Sequence, residues 1–208
     1  MSHKSANAPD WREPVVYSKL QHEAAVNPAL EALGYPEAWL SQGLITESDL
    51  DQQLIELTTS DDAFPEHYRW RTFQSILRNA EPEASLLGKL IVAAAADADL
   101  SYACFNALVE WVNTLPLLDQ AARAFEGRFV RQSNPVAQRR LVLILESDPT
   151  DRKALPMAAR EGNDAVQRRL LDAPGLPENV RALLESQGVN RAIRNLARQY
   201  KRRRTIGA

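Results

Sequence analysis

Three histidines, one cysteine and a few short acidic spacings are the residues of this 208-residue chain that could do chemistry. His22-Glu23 begins like a zinc-protease helix, but position 26, where the second histidine would complete the metal set, is Val26. Asp97-Ala98-Asp99 begins like a calcium loop and lacks the third carboxylate, the Gly and the closing Glu. His67 stands between Glu66 and Tyr68 at an expected helix start, where a capping or surface role competes with proton transfer. Cys104 falls on an apolar helical stripe and reads as a small core hydrophobe. Being single, it excludes an intrachain disulfide and any thiolate cluster, which fits a reducing compartment. The eight glycines are unclustered, so no phosphate cradle or nucleophile elbow forms. No catalytic residue, metal ligand or cofactor is assigned, and a non-enzymatic protein is expected.

Binding is the better expectation, because the charges are sorted along the chain. Residues 20–68 contain no Lys or Arg and ten carboxylates, of which Glu47, Asp49, Asp51, Asp61 and Asp62 are the candidate acidic binding surface. From residue 186 onward no Asp or Glu occurs and seven cations do, of which Arg191, Arg194, Arg198, Lys201 and Arg202 are the candidate basic surface. Residues 1–118 hold 7 basic and 17 acidic side chains, and residues 119–208 hold 18 and 10, so the net charge of −2 conceals two poles. Opposite poles point to electrostatic recognition of partners.

The elements that must present these charges are helical. Thr46 with Asp49 forms a capping pair opening a helix to about Leu57. Pro65 suits a first helical turn, followed by Trp70, Phe73, Ile76, Leu77 and Ala80 on one arc. Pro82 opens a helix through Leu86, Leu87, Leu90 and Ile91, and Asp99 is expected to cap the next, whose two stripes share Leu108. Alternating β-branched runs are absent, and about eleven helices joined by short connections predict an all-α protein. Arg69 lies inside the apolar arc of its own helix. It either reaches Asp61, Asp62 or a carboxylate of the preceding helix, or stays exposed at the first turn.

An internal repeat separates a stack from a closed bundle. Asn134-Pro-Val-Ala-Gln-Arg-Arg-Leu141 recurs 29 residues later as Asn163-Asp-Ala-Val-Gln-Arg-Arg-Leu170, with a looser third copy from Asn190 to Leu196. In its order of polar turn, helix, Pro-rich turn and helix, the stretch from about residue 133 to 205 resembles leucine-rich-repeat-variant and HEAT-like units. The resemblance implies a right-handed stack of antiparallel helix pairs, a HEAT-like α-solenoid, and carries over no functional residue. The 29-residue spacing is longer than the variant repeats use, and the cysteine cluster some of them carry is missing. Residues 1–13 are expected to be a disordered arm, 14–204 a single helical domain, acidic to about residue 118 and basic beyond it, and 205–208 a frayed tail.

The last helix, expected over residues 189–203, places Val189, Ile193, Leu196 and Tyr200 on one arc and the five candidate cations opposite. Docking one face would leave the other to a partner. A protein–protein interaction, adaptor or inhibitor role follows as the main expectation. The alternative is nucleic-acid binding by the last helix, although its basic face has no aromatic residue to stack a base. The resemblance also admits a DNA glycosylase as a remote alternative; the tryptophans Trp11, Trp39, Trp70 and Trp111 lie N-terminal to the basic region, which argues against it. A monomer is expected, with head-to-tail contact between copies open to the two poles. Neither an apolar leader core nor a run of roughly 18 apolar residues occurs, so a cytoplasmic protein with no membrane span is expected.

Overall fold

The computed structural model describes residues 27–128, 135–173 and 175–206, with side chains as far as Tyr200. These residues form helices and no strand. The first seven are α1 (Pro28–Leu33), α2 (Glu37–Ser41), α3 (Glu47–Thr59), α4 (Pro65–Asn79), α5 (Ala84–Ala96), α6 (Ser101–Trp111) and α7 (Leu115–Ala124). They are followed by α8 (Pro135–Ser147), α9 (Ala154–Glu161), α10 (Asp164–Asp172), α11 (Glu178–Gln187) and α12 (Arg191–Ile206). The described residues thus form twelve helices, against about eleven expected from the sequence. The expected N-terminal arm, Trp11 and Asn134 lie outside the described residues. α12 carries helical backbone to Ile206, into the expected tail.

Local signals act where the sequence places them. Thr46 and Asp49 close a reciprocal capping box on α3, and Pro65 occupies the first turn of α4. One cap differs. Asp97, not Asp99, accepts the amides of Asp99 and Leu100 before α6, which frees Asp99 for another partner.

That partner is Arg69. Its guanidinium is buried, with Nε donating to Asp97 at 2.9 Å, Nη2 to Asp99 at 2.9 Å and Nη1 to the carbonyl of Leu33 at 2.9 Å. Of the two alternatives for Arg69, burial with pairing holds and exposure does not, but the carboxylates differ: Asp61 and Asp62 lie on the loop before α4, whereas the Arg69 side chain turns inward between the end of α1 and the α5–α6 turn. Gly34, at φ 66°, leaves room for this contact, since a Cβ there would lie 2.6 Å from Nη1 of Arg69. Beside it Tyr35 bonds Gln53 of α3 and Thr72 of α4, and burial pushes its phenol up to about 12.

Apolar side chains gather in two cores. Leu33, Trp39, Leu50, Phe73, Leu90 and Leu108 belong to the first, and Leu155, Ala158, Leu170, Leu184, Ile193 and Ala197 to the second. α8 joins them, because Leu143 faces the first core while Leu141 and Leu145, one turn apart, face the second. α6, α8, α10 and α12 touch in succession, as do α5 with α7 and α9 with α11.

The internal repeat has a physical counterpart in two glutamines 29 residues apart. Gln138 of α8 donates to Glu161 O at the end of α9 and accepts the amide of Asn163, the cap of α10. Gln167 of α10, buried, donates to Ala159 O and accepts the amide of Val189 ahead of α12. Each side chain thus satisfies backbone groups that helix ends leave open. Arg194 takes the corresponding place in the third copy and donates to Gly188 O instead.

Removing the guanidinium strands buried Asp97, so Arg69→Ala should lower the unfolding free energy in urea by about 3–5 kcal/mol. Asp99→Asn, at a carboxylate 76% exposed, should cost less than about 1 kcal/mol. Gln167→Ala should cost about 1–3 kcal/mol by the same measurement, from the two backbone groups it leaves unpaired.

Candidate functional site

The acidic candidates divide into structural and free groups. Asp49 Oδ2 accepts the hydroxyl of Thr46 at 2.6 Å and its amide at 3.0 Å, and these bonds hold its carboxyl below the usual range. Asp62 lies 2.8 Å from Nδ1 of His67 and 3.5 Å from Arg71, whose guanidinium stands over the Tyr68 ring at 4.3 Å. Tyr68 in turn donates to Asp62 O, so His67 and Asp62 fasten the turn between α3 and α4. Glu47, Asp51 and Asp61 are exposed and have no ion-pair or hydrogen-bond partner among the described residues.

Two exposed apolar side chains occur on the same stretch of chain. Ile55 and Phe64 are each 57% exposed. Leu50 is buried and Leu54 and Leu57 pack against the first core, so Ile55, on the other side of α3, points away from it. The sequence reading omitted both residues. Helical phase carries the signal for Ile55, since it falls opposite Leu50, Leu54 and Leu57 at about 100° per residue. Phe64 precedes Pro65 outside any helical arc, and its ring packs only on His67, at 5.2 Å between centroids, among the described ring contacts.

The basic candidates are more involved with their own chain. Arg191 is exposed and has no partner among the described residues. Arg194 is half-buried and bonds Gly188 O at 2.7 Å. Arg198 reaches Asn195 and lies 3.6 Å from Glu185. The side chains of Lys201 and Arg202 lie outside the description. Glu185 also accepts from the buried Arg181, which pairs with Glu178 as well; both carboxylates raise the guanidinium's pKa.

The apolar face of α12 needs a correction. Ile193 and Ala197 are fully buried and Tyr200 packs on the second core, but Val189 is 53% and Leu196 39% exposed. The helix begins at Arg191, after an Asn190 side chain that accepts the Ile193 amide, so Val189 belongs to the preceding turn. Ala197 is small enough for close approach to α11, where Arg181 lies 3.4 Å from its carbonyl. This rotates the buried centre toward Ala197 and leaves Leu196 at the rim.

Of the residues first considered for chemistry, His3 and His22 lie outside the described residues, and His67 helps to fasten the α3–α4 turn. Cys104 is buried, and burial pushes its thiol up to about 12, which suppresses the thiolate. Asp97 and Asp99 hold Arg69. Among the described residues no cluster of three His, Cys, Asp or Glu could hold a metal ion, and no helix is long and apolar enough to cross a membrane. Comparison with known protein families, characterised proteins and solved structures finds no match. What the described geometry offers is a surface of unpaired carboxylates with apolar anchors, and a second surface of partly engaged cations.

The lowered Asp49 pKa sets the pH behaviour of the α3 cap. Its contribution is present above the ordinary carboxylate value of 3.8 and is lost as pH falls through the lower folded value. Because the carboxylate is exposed and water screens it, Asp49→Asn should cost less than about 1 kcal/mol near neutral pH and progressively less below the ordinary value, measured by urea unfolding across pH.

Proposed function

We propose that this chain is a non-enzymatic protein-binding module, of adaptor or inhibitor type, that docks a cationic protein on α3 and the α3–α4 turn. The carrying observation is that Glu47, Asp51 and Asp61, which have no partner among the described residues, occur on the same stretch as exposed Ile55 and Phe64. Apolar anchors supply affinity at an interface, and surrounding charges supply steering and register. A cationic partner with apolar side chains of its own meets both requirements.

The architecture proposed with it is a right-handed, HEAT-like stack of antiparallel helix pairs. Support comes from the ordered contacts of α6, α8, α10 and α12 and from the glutamines that bind successive connections. The principal contacts also run between helices near in sequence, which is how separated poles would arise. At about 8 Å of screening length, poles several helices apart act independently. Arg191, Arg194, Arg198, Lys201 and Arg202 form the second proposed surface. Engagement of Arg194 and Arg198 within the chain favours the acidic face as the principal site and a protein over nucleic acid.

A synthetic amphipathic helix of Lys and Leu tests the acidic face by fluorescence anisotropy. It should bind, weaken with added salt, and lose at least about tenfold in affinity when Glu47, Asp51 and Asp61 are changed to Lys. Ile55→Ser with Phe64→Ser should weaken binding at every salt concentration. Unchanged affinity in the charge-reversed variant would sink the proposal. Preferential binding of duplex DNA, abolished by changing Arg191, Arg194 and Arg198 to Gln, would make the basic helix the functional surface instead.

A further inference from the structure

The turn between α8 and α9 and the turn between α10 and α11 leave a hollow between them of about 350 Å³. Its floor is made by Leu155, Leu176 and Val180, all buried, and Pro149, Pro156 and Pro177 contribute to its walls. A second hollow of about 380 Å³ adjoins it, sharing Pro149 and Leu155 and extending over Leu145 and Leu170. Together they form a trough with an apolar floor and charged side chains at its edges, within the size range of small-ligand sites. Proline-lined walls resist collapse because their φ angles are fixed.

One charged side chain lines the first hollow among the described residues, Arg152. It is exposed and has no hydrogen-bond or ion-pair partner there. The nearest carboxylates in sequence are committed elsewhere. Asp148 accepts the amide and hydroxyl of Thr150, and Asp151 accepts the amides of Ala154 and Lys153, which hold its carboxyl below the usual range. Asn179, with no side-chain hydrogen bond of its own among the described residues, stands on the same lining. The second hollow is the poorer place for an anion, since Asp172 lines it and its Arg169 is paired with Glu146 at 2.7 Å.

We propose that this trough binds a small amphipathic carboxylate. The guanidinium of Arg152 receives the carboxylate, with Asn179 as an additional donor, and the apolar chain lies over Leu176, Val180 and Leu155 toward Leu145 and Leu170. A planar guanidinium fork matches a carboxylate in two parallel hydrogen bonds. The site is distinct from the acidic face of α3, and its test is independent of that proposal.

Octanoate and its neutral analogue octanamide, titrated into the full chain and followed by amide chemical shifts, separate the two halves of the site. Both should shift the amides of Leu155, Leu176 and Val180, and octanoate should bind about tenfold tighter through its charge-assisted bonds. In Arg152→Gln, at an exposed position that should leave thermal unfolding unchanged, that advantage should vanish while octanamide binding persists. The proposal is overturned if wild type binds both ligands equally, if Arg152→Gln keeps the preference, or if millimolar octanoate leaves these three amides unmoved.

Discussion

A guanidinium without water must be surrounded by acceptors, and Arg69 meets that condition by drawing three separate segments to one point. The carbonyl of Leu33 ends α1, Asp97 and Asp99 precede α6, and Arg69 itself belongs to α4. An apolar side chain at position 69 could be buried in many arrangements; a buried arginine accepts few. Asp97 is doubly used, since its other oxygen caps the turn leading into α6. The first core is thereby registered around a polar centre, with Trp39 packed edge-on against Tyr35 and Phe73 beside it.

The second core is organised by backbone capping instead. Gln138 and Gln167 bind the connections that follow α9 and α11, and Arg181 donates to the Ala197 carbonyl of α12 while satisfied by Glu178 and Glu185. α8 transmits one organisation to the other because its apolar residues face two ways. The surfaces inherit this arrangement: α3 packs on the first core through Leu50, Leu54 and Leu57 and presents its other side, whereas Arg198 and Arg194 of α12 lie close to Glu185 and to the carbonyl of Gly188 after α11.

Helical class, the capping box of Thr46 and Asp49, the Pro65 start and the repeated Gln-Arg-Arg segment were legible because each is a short-range signal set by neighbours in sequence. Less legible were the partners of Arg69. Proximity along the chain favoured Asp61 and Asp62, but the choice depended on where α1 and the α5–α6 turn came to rest. The α12 face was legible to within a fraction of a turn; its apolar arc was right in direction, and the small Ala197 moved the buried centre away from Val189 and Leu196. Ile55 could have been found from helical phase alone. The trough at Arg152 could not, since its lining comes from two connections whose proximity is a consequence of packing.

Periodicity and punctuation in the sequence determined that the described chain is helical and where most helices begin, because hydrogen bonding and capping within a helix are local. Charge sorting determined that cations are absent from one long stretch and carboxylates from another. Tertiary structure alone decided which charges are free. It left Glu47, Asp51 and Asp61 without partners among the described residues, and it buried Arg69 and Arg181. The reason is physical: a charged side chain's role depends on the donors, acceptors and water around it, and those neighbours are assembled only when distant segments meet.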